Sequence, residues 1–213
     1  KDVAKAKKLL AEAKSVPPAV AGGAVSSAMY DTKMPFEALG WLLSVLANDA
    51  GSKGDVENIV RFLMNRTTET AAAANFVTDY RDGGWLIMAS NRRADGVLLE
   101  ALIKVRAASG TLAVQSEDLI PKLVRGLLAN RTKGAWSNTQ ENVFILLAMD
   151  KYFNAFEKVT PDFVTRVWLG NTYAGEQVFK GRSIDSNEIN IPMSYLVDQG
   201  GTSNLILDKQ GAG

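Results

Sequence analysis

Residues 139–181 read TQENVFILLAMDKYFNAFEKVTPDFVTRVWLGNTYAGEQVFKG, and the period of their apolar positions changes partway through. In the first half Val143, Leu146, Leu147 and Phe153 recur at the three- and four-residue spacing of one helix face. After Pro161 the period drops to two. Phe163, Thr165, Val167 and Leu169 fall on one side, and Val164, Arg166 and Trp168 on the other. Gly170-Asn171 can close a two-residue hairpin, since both residue types tolerate positive φ. The chain therefore reads as mainly α with a β tail.

Upstream, the helical period recurs in 34–49 (Phe36, Leu39, Leu42, Leu43, Leu46), 55–66 (Val56, Ile59, Val60, Leu63), 95–106 (Val97, Leu98, Ala101, Leu102, Val105) and 117–130 (Leu119, Ile120, Leu123, Leu127). Asp55 and Asp95 can cap helix starts, Pro35 suits a first turn, and Thr139 precedes Glu141 and Asn142 in another. The helical part also repeats. Ile59–Met64 followed by Asn65-Arg66-Thr67 matches Leu123–Leu128 followed by Asn130-Arg131-Thr132, and Ser90-Asn91 with its helix matches Ser137-Asn138 with its own. The unequal offsets imply an insertion between Thr67 and Ser90, in which ANFVTDY and WLIMAS flank RDGG as a β-hairpin. Repeated helix pairs must stack to bury their apolar faces, as a solenoid or a closed α/α toroid. After residue 160, TYAGEQVFKG, EINIPMSYLV and NLILDKQG add further strand candidates.

Composition narrows the chemistry. Of 213 residues, 46% are hydrophobic, and 24 Lys plus Arg face 23 Asp plus Glu for a net charge of +1, which supports a packed core and no nucleic-acid partner. The absence of Cys and His removes thiolate zinc sites, a thiol nucleophile and the usual general base. No apolar run approaches the ~20 residues that span a bilayer, so no membrane insertion is expected. The N-terminal KDVAKAKKLLAEAK is an amphipathic helix with no signal-peptide core, and a start without Met is expected of a fragment or a processed chain.

GAWSNTQENVFILLAMDKYF (134–153) resembles the last helix of the thioester-containing domain of alpha-2-macroglobulin-like proteins. RRADGVLLEALIKV (92–105) and MPFEALGWLLSVLA (34–47) resemble other helices of that domain in bacterial members, and 159–196 resembles the β segment that follows it. The resemblance implies a terpenoid-cyclase-like α/α toroid over 1–158, with an inserted β-hairpin near 70–90. It further implies part of a CUB-type β-sandwich over 159–213. It implies a fragment of an endopeptidase inhibitor that traps proteases after bait cleavage, periplasmic or extracellular, with no enzymatic activity and no cofactor. Its partners would be proteases, through the full-length parent, and neighbouring domains of that parent. Ala174-Gly175-Glu176-Gln177 differs from the family's Cys-Gly-Glu-Gln thioester only at its first residue. Without sulfur Ala174 forms no thioester, and the run reads as a strand.

Other polar clusters have plainer readings. Trp136, Asn138, Thr139, Gln140, Glu141 and Asn142 read as a helix start, with side chains capping backbone N–H groups and Trp136 packed under the turn. No catalytic, cofactor or metal residue is expected. Asp82, Asp95 and Glu141 are the acids that a toroid glycosidase or lyase, the alternative reading, would use. Acids at helix starts are favoured by the macrodipole alone. Arg92-Arg93, with Arg66 and Arg81, reads as a solvated or interface patch, and Gly83-Gly84-Trp85 as a turn lacking any phosphate-loop pattern. A helical-repeat scaffold is the third alternative.

Overall fold

The computed structural model describes residues 2–15, 34–77, 84, 88–108, 117–185, 187–198 and 202–213. Helices α1 (Val3–Ser15), α2 (Phe36–Leu46) and α3 (Lys53–Met64) come first, then a short hairpin of β1 (Thr68–Glu69) and β2 (Ala74–Asn75). Helices α4 (Asn91–Ala108), α5 (Leu119–Ala129) and α6 (Thr139–Phe156) follow. Strands β3 (Asp162–Leu169) and β4 (Thr172–Lys180), helix α7 (Met193–Asp198) and strand β5 (Leu205–Ala212) complete the order. The chain is thus mixed α and β, with two compact units, Lys1–Ala155 and Phe156–Gly213. Among the described residues neither a closed toroid nor a two-sheet sandwich is present.

In the first unit the internal repeat is visible in burial. Ile59, Val60, Phe62 and Leu63 of α3 are buried, and so are Leu123, Val124, Gly126 and Leu127 of α5, at matching steps. The following helices, α4 and α6, are both 18 residues long. The hairpin is tied to α5 because Gly126 leaves room for it. A Cβ there would lie 2.3 Å from the Ala74 carbonyl oxygen, a distance no side chain tolerates. Lys122 pairs with Glu69, and Arg125 donates to the Ala72 carbonyl. The hairpin then delivers Phe76, fully enclosed, edge-on to Phe36 at 5.6 Å. These strands lie at 68–75, so β2 coincides with the first two residues of the expected ANFVTDY strand but pairs with Thr68-Glu69 before it. Most of that expected hairpin falls outside the described residues, as do Arg81 and Asp82.

Helix starts differ from expectation in instructive ways. Pro35 is the extended cap residue of α2 (φ −61°, ψ 151°), just ahead of the first turn. Asp55 sits inside the first turn of α3, whose cap residue is Ser52. Helix α4 begins four residues before Asp95, because the Ser90 hydroxyl accepts the Arg93 N–H at 3.2 Å and supplies the cap.

In the second unit the sheet order is β4-β3-β5, antiparallel throughout. Gly170-Asn171 is the two-residue turn, and only Gly170 (φ 58°) takes positive φ, the pattern of a type II′ hairpin. Val167 pairs with Gly175 and Trp168 with Tyr173, so Ala174 has no partner opposite it. It is the extra residue of a β-bulge, a local break in the two-residue period. Gly175 follows at φ +151°, with Ile189 3.1 Å from where a Cβ would stand.

Candidate functional site

Glu37 is the one charged residue of helix α2 and is 2% exposed, and such a charge must be paired to be buried. Its partner is Arg93 of α4, itself 5% exposed. Nη2 donates to Glu37 Oε2 at 2.9 Å, and Nε lies 2.7 Å from Oε1 as an ion-pair contact. The remaining guanidinium nitrogen, Nη1, donates to the Gln140 side-chain oxygen on α6. One buried cation therefore ties the starts of three helices together. The expectation that Arg92-Arg93 forms a solvated patch is corrected for Arg93. The preceding Arg92 makes a 3.0 Å ion pair with Asp95.

Beside this line runs a second one. Ser90, the cap of α4, donates its hydroxyl hydrogen to Glu141 of α6. The other Glu141 oxygen accepts the Ser137 N–H at 2.9 Å, and Asn138 Oδ1 accepts the Glu141 N–H at 2.9 Å. Asn138 is thus the cap residue of α6, with Glu141 reaching back as in a capping box. Asn142 brackets the turn: its Oδ1 accepts the Trp136 N–H, and its amide donates to the Trp136 and Asn138 carbonyls. Trp136 is buried and donates its indole N–H to the Leu127 carbonyl at 2.9 Å, with Arg131 over its ring. Thr139 is the first residue of α6.

Two contacts set the helix directions. Gly40 of α2 lies against Val97 and Leu98 of α4, and Gly96 of α4 lies against Ile145 of α6, at 2.9–3.2 Å from an imagined Cβ. Combined with Glu37–Arg93 and Arg93–Gln140, the contacts advance in the same sense along each pair, so α2, α4 and α6 run parallel, in that order. Their sequences align on those contacts. Glu37-Ala38-Leu39-Gly40-Trp41-Leu42-Leu43 matches Arg93-Ala94-Asp95-Gly96-Val97-Leu98-Leu99, and Gln140 to Leu146 fills the same steps. Glu37, Arg93 and Gln140 occupy one equivalent position in three successive helices. Sequence reasoning passed over Glu37. The signal was there as a lone charge in an apolar helix and as the shared charge–Ala–x–Gly–x–Leu–Leu run.

The line of polar groups floors a pocket of about 450 Å³ walled by Pro35, Ala38, Trp41 and Phe144. Trp41 is 50% exposed, and it also walls an adjacent apolar groove of about 510 Å³ beside Ala6 and Leu9 of α1. Neither Asp95 nor Glu141 lines either pocket. Asp95 is buried, accepts the Phe76 N–H at 2.8 Å and pins the hairpin to α4. Burial pushes its carboxyl up to about 7, against the pull of Arg92 and the Phe76 N–H. Of the acids proposed for a toroid glycosidase or lyase, Asp95 and Glu141 are thus engaged in holding backbone, and Asp82 lies outside the described residues. Among the described residues no group of His, Cys, Asp and Glu could hold a metal ion, and no helix is long and apolar enough to cross a membrane.

No family model matches the chain. A curated relative, circularly permutated Ras protein 2 of Dictyostelium discoideum, is 25% identical over 186 residues. The match covers 81% of this chain but only 4% of that protein's length. The alpha-2-macroglobulin resemblance is thereby corrected, and with it the protease-trapping inhibitor that it implied. The residues that carried it, Trp136 to Asn142, are accounted for by the capping and packing of one helix start, a solution open to any helix in this setting. The periplasmic or extracellular site and the protease partners rested on that resemblance and lose their support.

Proposed function

We propose that this chain is a recognition segment of a larger protein, and that the pocket beside Trp41 receives one side chain of a partner polypeptide. The observation behind this is the pairing of a self-satisfied polar floor with a half-exposed indole. Glu37, Arg93 and Gln140 neutralise one another, so the floor offers hydrogen-bonding dipoles with little net charge. The walls are apolar and aromatic, and the volume is in the range of small-ligand sites, roughly 300–1,000 Å³. Such a pocket favours an amphipathic side chain with an apolar body and a polar tip, tyrosine above all. Among the described residues that line it there is no hydroxyl, thiol, amine or imidazole, so covalent catalysis is not part of the reading.

Panning a random peptide library against the wild-type chain and against Trp41→Ala tests this. Enriched peptides should share an aromatic residue and lose at least tenfold in affinity on Trp41→Ala. Peptides that bind both proteins equally, or no enrichment, would contradict it.

The likeness to a Ras protein raises nucleotide binding as a second reading. Against it, the sequence contains no G-x-x-x-x-G-K-[ST] loop to cradle phosphates. The pocket's guanidinium is already held by a carboxylate. Titration with a fluorescent GTP analogue and Mg²⁺ should give no saturable signal, and micromolar binding would put this reading first.

A further inference from the structure

The parallel row α2–α4–α6 follows a rule that can be extended by one step. At Gly40 the face of α2 is covered by Leu98 of α4, and at the equivalent Gly96 the face of α4 is covered by Ile145 of α6. Leu98 and Ile145 are themselves equivalent positions. The next step falls on Val143, with Leu146 and Leu147 one turn further along α6. Leu43 and Leu99, at the position of Leu146, are 0% exposed, whereas Leu146 is 49%, Val143 47% and Leu147 51% exposed. Val143 and Leu146 of α6 thus stand half-exposed at steps that are buried in its predecessors, and Leu147 puts a third apolar side chain beside them where α2 and α4 have the part-buried polar Ser44 and Glu100. The opposite side of α6, Glu141, Ile145, Ala148 and Met149, is buried in the row.

We infer that this face of α6 docks a further amphipathic helix, parallel to α6 and supplied by another polypeptide segment. The new helix presents a Leu or Ile to Val143 and a hydrogen-bond acceptor beside Gln140. The chemistry of the occupant follows from continuity with the two interfaces already in the row. Each is apolar at the Leu98/Ile145 step and polar at the Glu37/Arg93/Gln140 step. The Gln140 side-chain oxygen is taken by Arg93, while among the described residues its amide reaches the Met88 sulfur, at 3.8 Å. An acceptor on the next helix extends the line. Val143 stands where the earlier helices have glycine, so the added helix rides further out, as larger contact side chains require.

The test uses a labelled synthetic peptide of residues 137–156, the segment that covers the equivalent face of α4, titrated with the full 213-residue chain by fluorescence anisotropy. Saturable binding is expected. The double variant Leu146→Glu/Leu147→Glu should weaken it at least tenfold, and Leu9→Glu, an exposed apolar residue on α1, should leave it unchanged. A peptide with Glu in place of Gln140 should bind more tightly than one with Lys. Circular dichroism checks the fold of the double variant, and Val143→Arg alone serves in its place if that fold is lost. No saturable binding, or binding indifferent to these changes, overturns the inference. So does a dimer of the whole chain, seen by sedimentation and abolished by the double variant, when the peptide does not bind. That outcome would assign the face to a second copy.

Discussion

In the first unit Leu39, Leu43, Leu46, Ile59, Leu63, Leu98, Leu99 and Leu102 are fully enclosed, while in the second only Val167 and Leu169 of the described residues are buried. Leu205, Ile206 and Leu207 of β5 remain 48–66% exposed despite full pairing with β3. The contrast lies in what each kind of element can cover. A helix in a row touches neighbours on several sides, so α4 buries nearly every residue from Arg93 to Val105. A single sheet of three strands satisfies its backbone but has no second layer against which to bury a face. Its order is instead held by cross-strand pairs. Phe163 stacks on Phe179 at 4.8 Å, Trp168 meets Tyr173 edge-on at 5.1 Å, and Arg166 bridges Glu176 and Gln210.

The largest expected effect breaks the first unit alone. Arg93→Ala strands the Glu37 carboxylate in the core and should cost about 3–5 kcal/mol. In urea titrations the helical signal should be lost early, while the cross-strand contacts of the sheet keep their own midpoint. A shared shift of both would mean that the units are not separately stabilised.

The next effect is a pH dependence with an unusual sign. The Asp95 carboxyl is raised to about 7 in the folded chain from 3.8, so between those values the folded state holds a proton that the unfolded state has released. Its contribution is present in full below 3.8, shrinks by about 1 kcal/mol per pH unit, and is gone above 7. Melting of the first unit should therefore weaken across that window, and Asp95→Asn should flatten the profile. An unchanged profile in the variant would show that Asp95 is not the group responsible.

A smaller loss, about 1–3 kcal/mol, is expected for Gly126→Ala, which forces the hairpin off α5. Hydrogen exchange at Phe76 should speed up first, because its N–H is held by Asp95 across the hairpin. The smallest change sharpens the contrast from the other side. Leu207→Lys on the exposed strand should stay within about 0.5 kcal/mol of wild type.

Much of this architecture is legible in the sequence because periodicity reports burial directly. The helices of the first unit and the hairpin at Gly170-Asn171 follow from spacing and turn chemistry. The site is less so. Glu37, Arg93 and Gln140 are three different residue types, and the spacing from Arg93 to Gln140 differs from that between Glu37 and Arg93. A search for similar letters therefore passes over their equivalence, which is one of position in a row. Asp95 has the look of a cap because Asp at the front of an apolar run usually is one. Ser90 had already taken that role, which left Asp95 to reach the hairpin. Ala174 shows the same limit in the sheet, since a bulge has no periodic signature.

The central claim is that a buried Glu37–Arg93 pair couples parallel helices and floors the pocket. A double-mutant cycle of Glu37→Gln and Arg93→Met, measured by urea denaturation, tests it most directly. A coupling energy of about 2 kcal/mol or more is expected. Additivity within about 0.5 kcal/mol would contradict it.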